Sequence, residues 1–538
     1  MTPFDLNGKF RSVSYHDSLP RLAVRGAGVT VFFQTVSLVV QTIATVALAR
    51  LLKPADFGVV TIVTTISLLL SSAGLNGFSE AIIQRDEIDR RLVSNLFWIN
   101  LALGGLLSAG FAAAGSLLAR LYGDPRVGEV AIGMSVTILL AGTSVQHLAL
   151  LKRAMYFAVL SRLDIVARAI SVLVSIWCGW KGWGYWALVA GSIAYALVAS
   201  IGAWWLCRWV PSPPSRAAGT AAAVWYATHV YGRFSLNYCA RNMDNALVGW
   251  RFGAGSLGFY KKAYDLFALS ANQLVAPLSV VAVSSLSRLR RDSARYQQSF
   301  LQGLAAMAFV GMGLGAVLSL AGDDLIRLLL GSGWEPAAQI FRWFGPGVGA
   351  MLIYNTHGWI HLSIGTPDRW LRWGILEVSI TGLLFVLGLA WGPVGVAAAW
   401  TTSFWILIVP AFLYAGKPIN LGVRPIVGAV WKYAVASLLA AGSALVHIRF
   451  IPYFANVDPT WTGTARHALK VSGLFGLLYL TAIVLLHRGT APLSQFLRLL
   501  KAAMPSKRSA ISTCDKPYSL MPATGLTRTS AEEIASHS

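Results

Sequence analysis

Arg233, Asn237, Arg241 and Asp244 lie inside an otherwise apolar stretch, at spacings of four, four and three. At helical pitch they fall within an arc of about 80°, on one face. An arginine directed into lipid is costly, so this face should turn toward protein or a wet cavity. Two guanidiniums on such a face match the forked geometry of phosphate oxygens. They predict a site for an anionic substrate. A plainer reading stays open: Arg241 and Asp244, three residues apart, neutralise one another and pack.

Weaker polar patterns accompany this one. Thr30, Gln34, Ser37, Gln41 and Thr45 repeat at helical spacing in the first apolar run. They either line the same cavity, with Gln34 and Gln41 as substrate contacts, or hold helices together. Arg342 is a further candidate anion contact, or it snorkels toward the membrane surface. His357 and His361 stand four apart, but no third ligand is evident, so no metal is expected. The acids Asp244, Glu377, Asp265 and Glu80 are candidates for a coupling proton or cation, each with a basic neighbour that it could pair with instead.

These residues need helices in a membrane to position them. The chain is 56% hydrophobic and 12% charged over 538 residues, which excludes an ordinary soluble protein. Runs of about 20 apolar residues cross a bilayer core, and about fourteen can be drawn. Backbone in lipid must satisfy its own hydrogen bonds, so the fold class is all-α and polytopic.

The net charge of +22 first suggests nucleic acid. However, the basic residues are spread over alternate loops rather than one face, so nucleic acid is not an expected partner. That alternation puts both termini in the cytoplasm of an inner-membrane protein. Arg251, Lys261 and Lys262 dissent, falling outside. Cys178, Cys207, Cys239 and Cys514 have no metal or redox spacing. The first apolar run is too long for a signal peptide and should remain as a helix.

The chain also reads as built twice. Leu48–Gly58 and Val248–Gly258 share a basic end, a small-residue turn and a closing apolar-Gly step. Arg120–Pro125 is echoed by Arg327–Pro336. The expected plan has a cytoplasmic N-terminus (1–25), a six-helix lobe (26–207), a linker (208–220) and a second six-helix lobe (221–414). Two extra helices (427–487) and a largely disordered cytoplasmic tail (488–538) follow. Six helices is an even number, so the lobes are parallel repeats. Gly253–Gly258 matches GxGxxG, but it joins two membrane spans with no preceding strand, and no GxxxxGK[ST] is present. No cofactor is expected.

Leu51–Gly58, Gly77–Arg85, Phe97-Trp98, Gly184–Leu188, Asp244-Asn245 with Gly258–Tyr260, and Leu286–Leu289 together resemble bacterial polysaccharide transporters. These belong to the multidrug/oligosaccharidyl-lipid/polysaccharide exporter superfamily. The resemblance runs from about residue 26 to 415 and is specific in the order and spacing of its motifs. It implies a flippase moving undecaprenyl-pyrophosphate-linked oligosaccharide units between leaflets. Two lobes would rock about a cationic cavity, with membrane lipid around them and a polymerase and chain-length regulator as partners. In related lipid II flippases an extra helix pair forms a groove for the lipid tail. The alternatives are a lipid II flippase proper, a multidrug exporter, or a polytopic polymerase or ligase. Exporters of cationic drugs usually use acidic cavities, and enzymes of this kind usually need an outer loop with catalytic acids.

Overall fold

In the computed structural model, residues 3–5, 8–10, 19–85, 87–216, 219–455, 458 and 460–496 are described, without the side chains of 19–34, 75–76, 269–277, 280–281, 367 and 455. The first half runs α1 (Leu19–Leu51), α2 (Pro54–Ala73), α3 (Ser79–Gln84), α4 (Arg90–Ala113), α5 (Gly115–Tyr122), α6 (Pro125–Arg153), α7 (Phe157–Trp180) and α8 (Tyr185–Cys207). The second runs α9 (Thr220–Arg288), α10 (Ser293–Leu320), α11 (Gly322–Leu330), α12 (Glu335–Asn355), α13 (His357–Ile364), α14 (Pro367–Gly388) and α15 (Gly392–Gly416). Then come α16 (Val423–Phe450), α17 (Pro452–Ala455) and α18 (Trp461–His487). The chain divides into two units, Met1–Pro492 and Leu493–Ser538, and all of these helices belong to the first. From 497 onward the expected tail lies outside the described residues.

Among the described residues, 8 helical stretches are long and apolar enough to cross a membrane. That is fewer than the fourteen expected, partly because one stretch, Asp368–Ile419, takes in both α14 and α15. Charge explains part of the difference. Arg162, Asp164 and Arg168 dilute α7, and the basic stripe dilutes α9.

α9 departs from the expected pair of spans joined by a loop. Gly253 alone breaks the helix, with φ 76° and ψ 178°. In one straight helix, Asp244 and Tyr260 would stand about 24 Å apart. Instead, the Tyr260 hydroxyl donates to Asp244 Oδ2 at 2.8 Å. The segment is therefore two antiparallel helices folded at a single glycine, which supplies the positive φ that other residues avoid.

The two echoed segments meet. A Cβ at Gly58 would overlap the Ala254 carbonyl, and a Cβ at Gly258 would overlap that of Pro54. Positions 54 and 58 of the first half thus meet 254 and 258 of the second reciprocally. Missing side chains let backbone approach backbone, as in close membrane-helix crossings. The second echo is local. α5 and α11 are short helices that follow long ones, each ending at a glycine of positive φ (Gly123, Gly331) before a helix with proline in its first turn.

α16 and α18 dock on α10. Ser437 Oγ donates to the Met312 carbonyl at 2.9 Å and the Tyr479 hydroxyl to that of Phe309 at 2.8 Å. The linker stretch 208–216 is non-helical and fastened to α4. Asn95 Nδ2 donates to the Ser215 carbonyl and Trp98 Nε1 to that of Ser212.

Candidate functional site

The first limb of α9 presents three different flanks. One lies against α2. There the Tyr231 hydroxyl donates to the Leu69 carbonyl at 2.9 Å, and Ala227 closes on Gly77 in the helical turn that follows α2. A second reaches α14, where Met243 fills the space left by Gly382. Arg233, Asn237 and Arg241 project between these flanks and are all exposed. The large exposed apolar residues Trp225, Leu236 and Trp250 lie roughly 120° around the helix. The basic stripe is thus separate from the greasy flank.

Arg233 and Arg241 make no hydrogen bond or ion pair with the described residues. Arg241 stands within electrostatic reach of Glu377 and Tyr354, and of Tyr264 on the second limb of α9. Glu377 is half-buried beside the Tyr354 hydroxyl, which accepts from Trp373 Nε1 at 2.8 Å. Two guanidiniums just over two turns, or about 12 Å, apart along the helix, unpaired among the described residues and with an amide between them, can take a multivalent oxyanion.

Asp244 does not share that exposed face. It is 2% exposed and accepts from Tyr260 and from the Asn245 backbone N–H at 2.8 Å. The Arg241–Asp244 pairing that the spacing allowed is not formed. Helical periodicity fixes direction along one helix, but the fold-back at Gly253 brought a tyrosine to the acid.

The remaining candidates are scattered. Arg342 forms a bidentate ion pair with Asp323 at the start of α11. Asp265 is paired with Lys261. Glu80 is half-buried on α3, and Gln41 is exposed on α1. The side chain of Gln34 lies outside the described residues. His357 Nδ1 is bonded to the Tyr354 carbonyl at 2.6 Å and His361 Nδ1 to Thr366 Oγ1 at 3.2 Å.

The halves are tied together at one end of the stripe. Beside the Gly58–Gly258 crossing, Trp334 Nε1 donates to the Ala49 carbonyl at 3.1 Å and Arg50 Nη2 to that of Leu328 at 3.0 Å. Phe57 and Phe259 pack edge-on to Trp334, with centroids 5.7 and 5.8 Å away. We call this the sealed end. At the foot of α9 a groove of about 940 Å³, lined by Asn95, Arg216, Thr220, Trp225 and His229, opens on the Trp225 flank rather than on the stripe.

One basic residue outside the candidate set belongs with this geometry. The Lys262 ammonium lies 4.1 Å from the centre of the Phe57 ring, across the seam between the halves. Its signal in the sequence is its departure from the positive-inside pattern.

A family model described as polysaccharide biosynthesis protein matches residues 47–339, from the end of α1 to the start of α12. The chain belongs to that family. It is 23% identical to the succinoglycan biosynthesis transport protein ExoT of Rhizobium meliloti (strain 1021), over 74% of this chain and 79% of that one. It is 24% identical to the amylovoran biosynthesis protein AmsL of Erwinia amylovora, over 74% and 94%. Among solved structures, the lipid II flippase MurJ in its inward closed conformation superposes with a TM-score of 0.65 at 13% identity. That match covers 85% of this chain and 99% of MurJ, and it establishes a shared fold. The family and the apolar helices together make this a multi-pass membrane protein.

Proposed function

We propose that the protein is a flippase for polysaccharide biosynthesis. It carries undecaprenyl-pyrophosphate-linked oligosaccharide units across the bacterial inner membrane by alternating access between its halves. The observation that carries this reading is the Arg233–Asn237–Arg241 stripe: exposed, unpaired, separate from the apolar flank and beneath a seam closed at one end. The transport name of ExoT and the MurJ-like fold support it.

The physics is direct. A diphosphate and a hydrated sugar chain cannot cross hydrocarbon unaided. The stripe supplies guanidiniums to the diphosphate, while the lipid tail stays in the bilayer. No covalent step is required, so the protein works as a transporter rather than an enzyme.

In this reading fourteen helices cross the membrane, with both termini in the cytoplasm and the sealed end on the far side. Two six-helix repeats rock about the Gly58–Gly258 crossing, and α16 and α18 flank the second. Of the four acids, Glu377 best suits a coupling role, because it is half-buried and within reach of Arg241. Asp244, Asp265 and Glu80 rank below it: Asp244 is fully buried against Tyr260, and Asp265 is neutralised by Lys261. A polymerase and a chain-length regulator take up the product.

Complementation of a polysaccharide-negative deletion strain tests this. Wild type should restore polymer, while Arg233→Ala and Arg241→Ala at matched expression should accumulate lipid-linked units on the inner leaflet. Normal export by both variants would make the stripe a packing feature and end the reading.

A further inference from the structure

The sealed end contains a cation that forms no ion pair among the described residues. Lys262 is half-buried, and its nearby acid, Asp265, is already held by Lys261. The contact of Lys262 is instead the face of Phe57. A desolvated ammonium on an aromatic face is stabilised, but less well than by an anion with hydrogen-bonding oxygens. A lysine kept in this position against the positive-inside pattern therefore has an unmet demand for an anion.

Phe57 belongs to α2 and Lys262 to the second limb of α9, so their contact bridges the halves. Phe57 also packs on Trp334, whose indole N–H holds the Ala49 carbonyl. Lys262, Phe57, Trp334 and Ala49 thus form a chain of contacts across the seam. The stripe ends nearby, since Asp244, one turn beyond Arg241, is held by the hydroxyl of Tyr260, two residues before Lys262.

We propose that Lys262 is an anion-sensing latch: it holds the seam shut through Phe57 until a diphosphate arriving from Arg241 takes its ammonium. This rests on the proposed flippase reading and adds a named link between substrate and opening. When the anion binds Lys262, the ring contact is lost and the closed seam loses one of its ties. A ligand that favours the parted arrangement in this way shifts the population toward it. The chemistry recognised is a diphosphate, whether free or attached to lipid.

The test uses full-length protein in detergent with spin labels at Leu121 and Trp391, exposed positions on the two halves. The distance between them is read by pulsed electron resonance as farnesyl diphosphate is added, with inorganic pyrophosphate in a parallel series. Wild type should move toward longer distances with farnesyl diphosphate. A response to pyrophosphate alone would show that the bare anion suffices, whereas a farnesyl-only response would assign the trigger to the lipid-linked form. Lys262→Gln should require about tenfold more probe or fail to respond, and Lys262→Arg should stay within about threefold of wild type. Phe57→Leu should widen the distribution without probe. Opening of Lys262→Gln at wild-type probe concentrations, or an unchanged closed population in Phe57→Leu, would overturn the latch. Calorimetry on wild type separates the two claims. If farnesyl diphosphate does not bind at all, the flippase reading falls and the latch with it. If it binds and Lys262 makes no difference, only the latch falls.

Discussion

The sealed end and the exposed stripe are both built on α9, and they are made of opposite material. At the sealed end, glycine removes side chains until the carbonyls of Pro54 and Ala254 lie against Gly258 and Gly58. Along the stripe, long charged side chains project, and among the described residues no hydrogen bond or ion pair closes on them. Close backbone contact gives a seam a definite position through dispersion and shape. Unpaired guanidiniums keep a space wet and available. The comparison teaches that a surface can be read by what it lacks: side chains where it seals and, in the proposed reading, partners where it binds.

The largest expected effect would break the sealing side of this comparison. Gly58→Leu puts a branched side chain into backbone and should cost about 3 kcal/mol or more. Thermal unfolding in detergent should show it, and Gly258→Leu should match it, since the two contacts are reciprocal. A small effect at either position would separate the echoed segments physically.

Next is the binding side. Arg241→Ala should lower polymer export at least about tenfold, or 1.4 kcal/mol. Arg342→Ala should leave export within about twofold, because that guanidinium is occupied by Asp323 and its pair is exposed. Equal effects in an export assay would mean that pairing does not distinguish binding arginines from structural ones.

Tyr260→Phe sharpens the line between stripe and core. It leaves the buried Asp244 carboxylate without its hydroxyl donor and should cost about 1–3 kcal/mol of stability. Export by the folded fraction should change little if Asp244 is a brace for the fold-back at Gly253. Loss of export without loss of stability would raise Asp244 above Glu377 among the coupling candidates.

The smallest effect lies off both surfaces. Asp124 caps α6, accepting from the Arg126 backbone N–H at 3.0 Å and pairing with its guanidinium at 2.7 Å. That side-chain bond to Arg126 holds the Asp124 carboxyl below the usual carboxylate range. A depressed carboxyl stabilises the fold above its unfolded pKa near 4, and the contribution is lost as pH falls through the folded value. Asp124→Ala should cost about 1 kcal/mol at neutral pH. The difference from wild type should shrink in acid, measurable by thermal shift across pH.

How far the site could be read in advance depended on range. Arg233, Asn237 and Arg241 were legible because one helix sets their common direction. The fate of Asp244 was not, since Tyr260 reaches it only through the fold-back. Arg342 reads in sequence like Arg241. Only the placement of α11 against α12 supplied Asp323.

The sequence alone determined that this chain is helical and crosses a membrane many times. Long apolar runs cannot leave their backbone unsatisfied in lipid, and that constraint is local. The doubling of its motifs was also visible in the residues themselves. The tertiary structure decided which glycines touch, which charges are cancelled and where Lys262 points. Those outcomes depend on partners far along the chain, and spacing within one helix carries no information about the surface that will arrive opposite it.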